Sequence, residues 1–368
     1  MTVMGAISLS HPVAEVIILD PNNYLAIANQ ILDGGTPYLT VPVEHLPASL
    51  IPIVGISWLA QLFDVPVVVL WPVLMGMLFL ATVVLWQFGG FDSSIAYRFI
   101  VVSLPLLPLV LSRLEPWVVF LSVLTIALYH RRAFVLGGLA TVAATLAKGW
   151  PVILAGLPWK EYRRTISVSA VIVSLGLISL IASQPLFRQG RDFTGIHSET
   201  IVGSATLLIR GFLDEPLGLF TTAGAWYVSI GSWAVLLNLL PGAAIALFAV
   251  ATVHRSTTQR DVLAALGILT TAIILASPLL SPQFVFWITP FVVFAPRKSR
   301  ATYILAGVIT LFTVVFWMPR TVVWAGLVLS RNLLLIWLAV TWYRDIRAGT
   351  SGSPQRKAHK TSRRNLPV

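Results

Sequence analysis

The chain has 368 residues, of which 57% are hydrophobic and only 11% charged, with a mean hydropathy of +0.86. A soluble domain carries roughly 25% charged residues, so no water-soluble fold hides this much apolar surface, and lipid must solvate most of it. The net charge of +11 lies in short clusters with no folded basic module, which argues against nucleic acid as a partner, and the lack of cysteine excludes disulfides and thiolate metal sites.

Residues 1–19 are short for a span and contain His11, Pro12 and Glu15 but no Lys or Arg. They read as the stub of a first helix, with the true start upstream, or as a chain that begins outside. Residues 20–64 read as an outer loop. Asp20 opens an amphipathic segment with Tyr24, Ala28 and Ile31, which Gly34-Gly35 ends. Pro37, Pro42 and Pro47 then break the chain, and Glu44-His45-Leu46-Pro47 leads into a second helix, 48–63, with Trp58 suited to an interface. Both helices are expected to lie on the membrane, with a carboxylate at the start of each.

Predicted spans follow at 66–88, 97–112, 116–129, 133–147, 164–183, 226–252, 261–279, 282–296 and 301–318. Residues 149–159, opening Gly149-Trp150-Pro151, read as a short return helix. Residues 321–343 carry Arg331 near their middle, so that helix is either broken or starts late. A second outer loop is expected at 184–225. The fold class is all-α, a polytopic transmembrane helical bundle of about 10–12 spans over residues 1–345. Residues 346–368 read as a disordered basic tail near anionic lipid.

Charge sets the expected orientation. Arg98, the loops His130-Arg131-Arg132, Lys160 to Arg164, His254 to Arg260 and Arg297 to Arg300, and the tail all fall on one side when the spans are threaded in order. The positive-inside rule makes that side cytoplasmic, as in a multi-pass protein of the inner (cytoplasmic) membrane. The opposite face collects residues 20–64, Arg113-Leu114-Glu115, Lys148, the 184–225 loop, Ser281-Pro282-Gln283 and Arg320. Ionisable groups gathered at one face point to one site at one membrane surface.

These outer segments carry motifs in a recognisable order. D-x3-Y-x3-A-x2-I-L-x-G-G-x-P-Y followed by E-x2-P spans Asp20 to Pro47. Then come Arg113-Leu114-Glu115, the small-residue helix Gly138 to Pro151 containing Lys148, the segment Arg191 to Ser204, and Ser281-Pro282-Gln283-Phe284 with Trp287. Together they resemble the GT-C superfamily of membrane glycosyltransferases, and within it family 87, the polyprenol-phosphate-mannose-dependent α-mannosyltransferases. The resemblance covers about residues 20–345, nearly the whole chain. It implies transfer of a sugar, mannose first and arabinose as the alternative, from a polyprenyl-phosphate donor to a glycolipid or glycan hydroxyl. It implies no cofactor, since the lipid-linked sugar is a substrate; a divalent metal is left open.

Such a reaction needs a base at the acceptor hydroxyl, a carboxylate near an oxocarbenium-like centre, and cations facing the leaving phosphate. The resemblance makes Asp20 the base; the plainer alternative is a helix N-cap. Glu44 is a candidate to orient the acceptor, or an exposed loop acid. Lys148 is a phosphate contact or a snorkelling lysine. Arg191 and His197 are candidate phosphate ligands or parts of a solvated loop. Arg113 and Glu115 read as an ion pair fixing a turn more than as catalytic groups, although Arg113 stays among the substrate-binding candidates. Glu199 folds over the cleft or is solvated. Gln283 hydrogen-bonds the sugar or caps a helix. Trp226 and Tyr227 border the sugar or mark the interface. The scattered histidines offer no metal spacing. Two rival readings stay open: a lipid or glycan transporter, and a catalytically inactive GT-C-like scaffold.

Overall fold

The computed structural model describes residues 12–157, 164–187, 195–222, 225–231, 233–256, 258–295, 300–314 and 321–351. Of these, 77% are helical and 3% lie in strands, so the all-α class holds apart from one small sheet.

Helix α1 (Pro12–Leu32) runs unbroken through Asp20 and Pro21. Asp20 therefore does not open a helix, and the N-cap alternative falls away. The end of α1 is as expected: Gly34 takes φ 97°, its N–H bonds Ile31 O at 3.1 Å, and Gly35 N–H bonds Gln30 O at 2.9 Å. Helix α2 (Pro47–Leu62) starts with proline in its first turn, where the missing N–H has no helical acceptor to lose. Glu44 precedes it by three residues instead of lying on it.

Helix α3 (Val67–Phe88) is a long apolar span. The expected span 97–112 is broken: α4 (Ser93–Ser103) gives way to a 3-10 turn, Leu104–Leu106, and then to α5 (Leu107–Val110). Pro105 and Pro108 cannot donate backbone hydrogen bonds, which accounts for the break. Helices α6 (Glu115–His130) and α7 (Phe134–Lys148) form an antiparallel pair across a short basic turn. A 3-10 segment, Trp150–Gly156, supplies the return element expected after Lys148. Helix α8 (Arg164–Ala182) is the next span.

The second outer loop is more ordered than its sequence implies. It holds β1 (Ile196–His197), α9 (Ile201–Phe212), β2 (Leu219–Thr222) and β3 (Ala225–Val228). The strands pair antiparallel in the order β1-β3-β2, with His197 opposite Tyr227 and Phe220 opposite Tyr227. Residues 226–228 thus belong to a strand, and α10 (Trp233–Arg255) starts later than the span expected from 226. Helix α11 (Gln259–Ala276) is capped by Thr258, whose hydroxyl accepts from Asp261 N–H at 3.1 Å.

The expected span 282–296 is not a continuous helix. It is a 3-10 segment, Pro282–Ile288, followed by the single turn α12 (Thr289–Val292). Helix α13 (Arg300–Val314) and helix α14 (Val322–Ser351) complete the bundle. Helix α14 passes through Arg331 without a break and extends beyond residue 346, where the tail was expected to begin.

Among the described residues, five helical stretches are long and apolar enough to cross a membrane: Val67–Phe88, Thr165–Ala182, Leu236–Val253, Gln259–Ala276 and Val322–Ala348. The outer flanks of these helices are apolar too; Leu80, Leu236, Leu240 and Leu247 are all exposed. An apolar exterior of this kind is stable only against lipid. Helix contacts rely on small residues, as within membranes: a Cβ on Gly267 would stand 2.7 Å from Phe291 and Trp342.

Candidate functional site

Three helix termini meet at one end of the bundle. Ser49, in the first turn of α2, donates to Ala147 O at the end of α7 at 2.6 Å, and Trp117, at the start of α6, donates to Ala48 O at 2.9 Å. The antiparallel α6–α7 pair brings Glu115, its first residue, beside Lys148, its last. Lys148 Nζ lies 3.8 Å from Glu115 Oε1. Gly149 follows at φ 78°, a conformation that favours glycine, and turns the chain sharply after the lysine. Glu115 is fully buried, whereas Lys148 keeps 27% of its side chain exposed, so the ammonium faces outward from the pair.

The 3-10 segment after Ser281 flanks the same lysine. Lys148 Nζ stands 5.4 Å from the Phe284 ring centre and 5.9 Å from that of Trp287. Phe284 stacks on Trp287 at 4.1 Å, and Trp287 on Trp150 at 5.6 Å. Gln283 is buried in this turn, and the cap position belongs to Ser281.

From the first outer loop come Tyr24, Glu44 and His45. The Tyr24 ring packs edge-on against His45 at 5.4 Å and lies tilted against Trp71 at 4.6 Å. Burial pushes the Tyr24 phenol well above its usual range, and the charges of Glu115 and then Glu44 push it the same way. His45 Nε2 is 3.9 Å from Glu44 Oε1, and His45 O accepts from the Tyr38 hydroxyl at 2.7 Å. The Asp20 backbone lies one helical turn, about 6 Å, before Tyr24 in α1; its side chain lies outside the described residues.

The segment expected as a second outer loop joins through His197, whose N–H donates to Pro278 O at 3.2 Å, just ahead of the Ser281 turn. Burial lowers the Arg113 guanidinium below its ordinary value, and the charges of Glu115 and then Glu199 oppose that shift. Glu199 is buried rather than solvated. Its Oε2 accepts from Arg331 Nη1 at 2.9 Å, and its carbonyl accepts from Arg331 Nη2 at 3.1 Å and Asn332 Nδ2 at 2.9 Å. His197 is also buried, edge-on to Tyr227 at 5.7 Å, and its Nδ1 accepts from Glu199 N–H at 3.4 Å. The solvated-loop alternative fails for both. Tyr227 is buried in the sheet. Arg191 lies outside the described residues.

Among the candidates, Glu44, Lys148, Arg113, Glu199 and Gln283 thus belong to one connected end of the bundle, with His197 one strand behind Glu199. Tyr24, His45, Phe284 and Arg331 join them without having been singled out as site residues. Tyr24, His45 and Phe284 stood in the quoted motifs, and Arg331 carried a signal of another kind, a charge inside an apolar run.

The far end of the bundle has a different character. His130, about 22 Å along α6 from Glu115, bonds Gln259 at 2.7 Å and stacks on Phe91 at 4.1 Å. Arg260 donates to Phe294 O at 3.0 Å and Ala295 O at 2.7 Å, and Arg98 donates to the Tyr303 hydroxyl at 3.0 Å. Arg98, His130 and Arg260 thus line one cavity at this end; the 158–163 and 296–299 segments and most of the tail lie outside the described residues. Cavities of 520 and 230 Å³ open at this basic end, and neither is lined by the candidates above. Among the described residues, no cluster of three His, Asp or Glu is placed to hold a metal.

No family model, no curated protein and no solved structure matches the chain.

Proposed function

We propose that this chain is a membrane glycosyltransferase that moves a sugar, mannose in the first instance, from a polyprenyl-phosphate donor to an acceptor hydroxyl at the outer face of the cytoplasmic membrane. One observation carries the reading. Lys148 is partly exposed beside a buried carboxylate and an aromatic wall, where the first outer loop, the Arg113–Glu115 turn and the Pro282–Ile288 segment converge. A lipid phosphate needs a cation at the membrane surface, and a sugar ring is commonly held against aromatic faces; both requirements are met within a few ångströms.

In this reading Asp20 takes the proton from the acceptor hydroxyl as its oxygen attacks the sugar C1. The bond from C1 to the phosphate oxygen breaks, and polyprenyl phosphate leaves with its negative charge facing Lys148, assisted by Arg191. Glu44, with His45 and Tyr24 beside it, orients the acceptor, and Gln283 bonds the sugar. His197, Glu199 and Arg113 serve the site by holding the second outer loop in place. The basic far end would face the cytoplasm by the positive-inside rule. A transporter is less favoured, because the charge in α14 is neutralised by an outer-loop carboxylate instead of facing a second access route.

The test is donor-dependent transfer in membranes containing the full chain. Sugar-labelled polyprenyl-phosphate-mannose should give a labelled lipid or glycan product, and Lys148→Met should lower the rate at least tenfold. No transfer from mannosyl or arabinosyl donors would leave the transferase reading without support, and the scaffold would take its place.

A further inference from the structure

The 520 Å³ cavity lies between α10, α11 and α14, far from the candidate site. Arg331 lies on the site side of α14, bonded to Glu199, and Arg347 lies about 24 Å further along the same helix, near the end of its apolar run. The cavity therefore opens where the apolar window Val322–Ala348 meets the basic membrane surface. Its walls are apolar: Ile245 and Phe248 from α10, Ile268 from α11 and Ala339 from α14. Its mouth carries Arg344 and Arg347, one turn apart on α14. Both arginines are exposed, and none of the lining residues is acidic. Asp345, next in sequence to Arg344, is not among them.

The walls are shaped by aromatic contacts. Phe248 packs on Tyr343 at 5.2 Å, and the Arg347 guanidinium lies 5.5 Å above the same Tyr343 ring. Phe248 is nonetheless 49% exposed, and its neighbours Leu247 and Val250 are more so, so this flank of α10 faces lipid. An apolar trough open to lipid and topped by a pair of cations is complementary to one kind of molecule: an anion with a hydrocarbon chain, arriving sideways from the bilayer.

We propose that this groove is a binding site for an anionic phospholipid, with an acyl chain along Ile245, Phe248 and Ile268 and the phosphate diester between Arg344 and Arg347. The site is separate from the transfer site and does not depend on that reading.

The test uses the full chain, extracted in mild detergent and offered phosphatidylglycerol or phosphatidylcholine with matched acyl chains, with retained lipid counted by native mass spectrometry. The wild-type chain should retain phosphatidylglycerol about tenfold better than phosphatidylcholine. Arg344→Gln with Arg347→Gln should abolish the preference, and Ala348→Trp, which narrows the mouth and keeps both cations, should lower retention of phosphatidylglycerol. Arg131→Gln with Arg132→Gln, basic residues at the same end but outside the groove, should leave the preference unchanged. Should the double arginine variant not fold, Ala348→Trp decides alone. The proposal is overturned if phosphatidylcholine is held as well as phosphatidylglycerol, if the double arginine variant keeps the preference, if Ala348→Trp retains as much phosphatidylglycerol as the wild type, or if the Arg131 and Arg132 changes remove the preference equally.

Discussion

Arg331, deep in the α14 span, donates to the Glu199 carboxylate at 2.9 Å and also to the Glu199 carbonyl at 3.1 Å. Both residues are almost wholly buried. A lone charge at that position would be expelled or would deform the bilayer, so the carboxylate brought in by the outer loop is what lets an arginine sit there. The pair also clasps the β1–α9 segment to the bundle.

Arg331→Met strands the Glu199 carboxylate and should lower stability by about 3–5 kcal/mol. Glu199→Gln with Arg331→Met together should recover most of that loss, because no unpaired charge is then left buried. Thermal unfolding of Arg331→Met, Glu199→Gln and the double variant in one detergent checks this, with proteolysis of the 195–231 segment as a local readout. Additive losses would show that the pair is not a unit.

Lys148 and Glu115 separate stability from activity. Lys148→Met leaves Glu115 buried without its ammonium, which should cost about 1–3 kcal/mol. Adding Glu115→Gln should restore the thermal midpoint and leave sugar transfer low. Recovery of both together would assign Lys148 a structural role only.

Gly149 tests the turn that presents the lysine. A Cβ at this position meets nothing within 4 Å, so Gly149→Ala is opposed only by the backbone at φ 78°. The expected penalty is about 1–3 kcal/mol. The rate of transfer should fall with a raised KM for the donor, since the Lys148 ammonium moves with the turn. An unchanged KM would mean that the turn does not position a donor contact.

Tyr38 gives a pH signature in the first outer loop. Burial pushes its phenol up to about 12, against an ordinary value of 10.0. The folded chain holds this proton more tightly than the unfolded chain. The resulting stability is fully present below pH 10 and is lost as pH rises towards 12. Tyr38→Phe should remove a late step from the tyrosinate absorbance titration and flatten the fall of stability across that window. Loss of a step near 10 instead of a late one would show that the hydroxyl is not buried in solution.

Much of the bundle was legible because lipid imposes one rule, a long apolar run between breaks, and α3, α8 and α11 obey it. The breaks at 104–106 and 282–288 were less legible. Prolines interrupt both runs, but hydropathy alone reads through a proline that a neighbouring helix accommodates. The small sheet was hidden because β1 has only two residues and takes its register from β3, about thirty positions later. At the site, Glu115 and Lys148 were visible as charges at span ends, but their pairing follows from the antiparallel α6–α7 turn and not from spacing. Glu199 looked like a loop acid because its partner, Arg331, lies 132 residues away in a different span. Asp20 looked like a helix start because the apolar run before it is short; the helix continues through it.

The central claim stands or falls on Asp20. Membranes carrying the wild-type chain or Asp20→Asn should be given sugar-labelled polyprenyl-phosphate-mannose under identical conditions, with equal amounts of folded protein verified. The account predicts transfer by the wild type and a loss of about a hundredfold or more in the variant, the scale of a missing general base. Equal rates from the two proteins would contradict it.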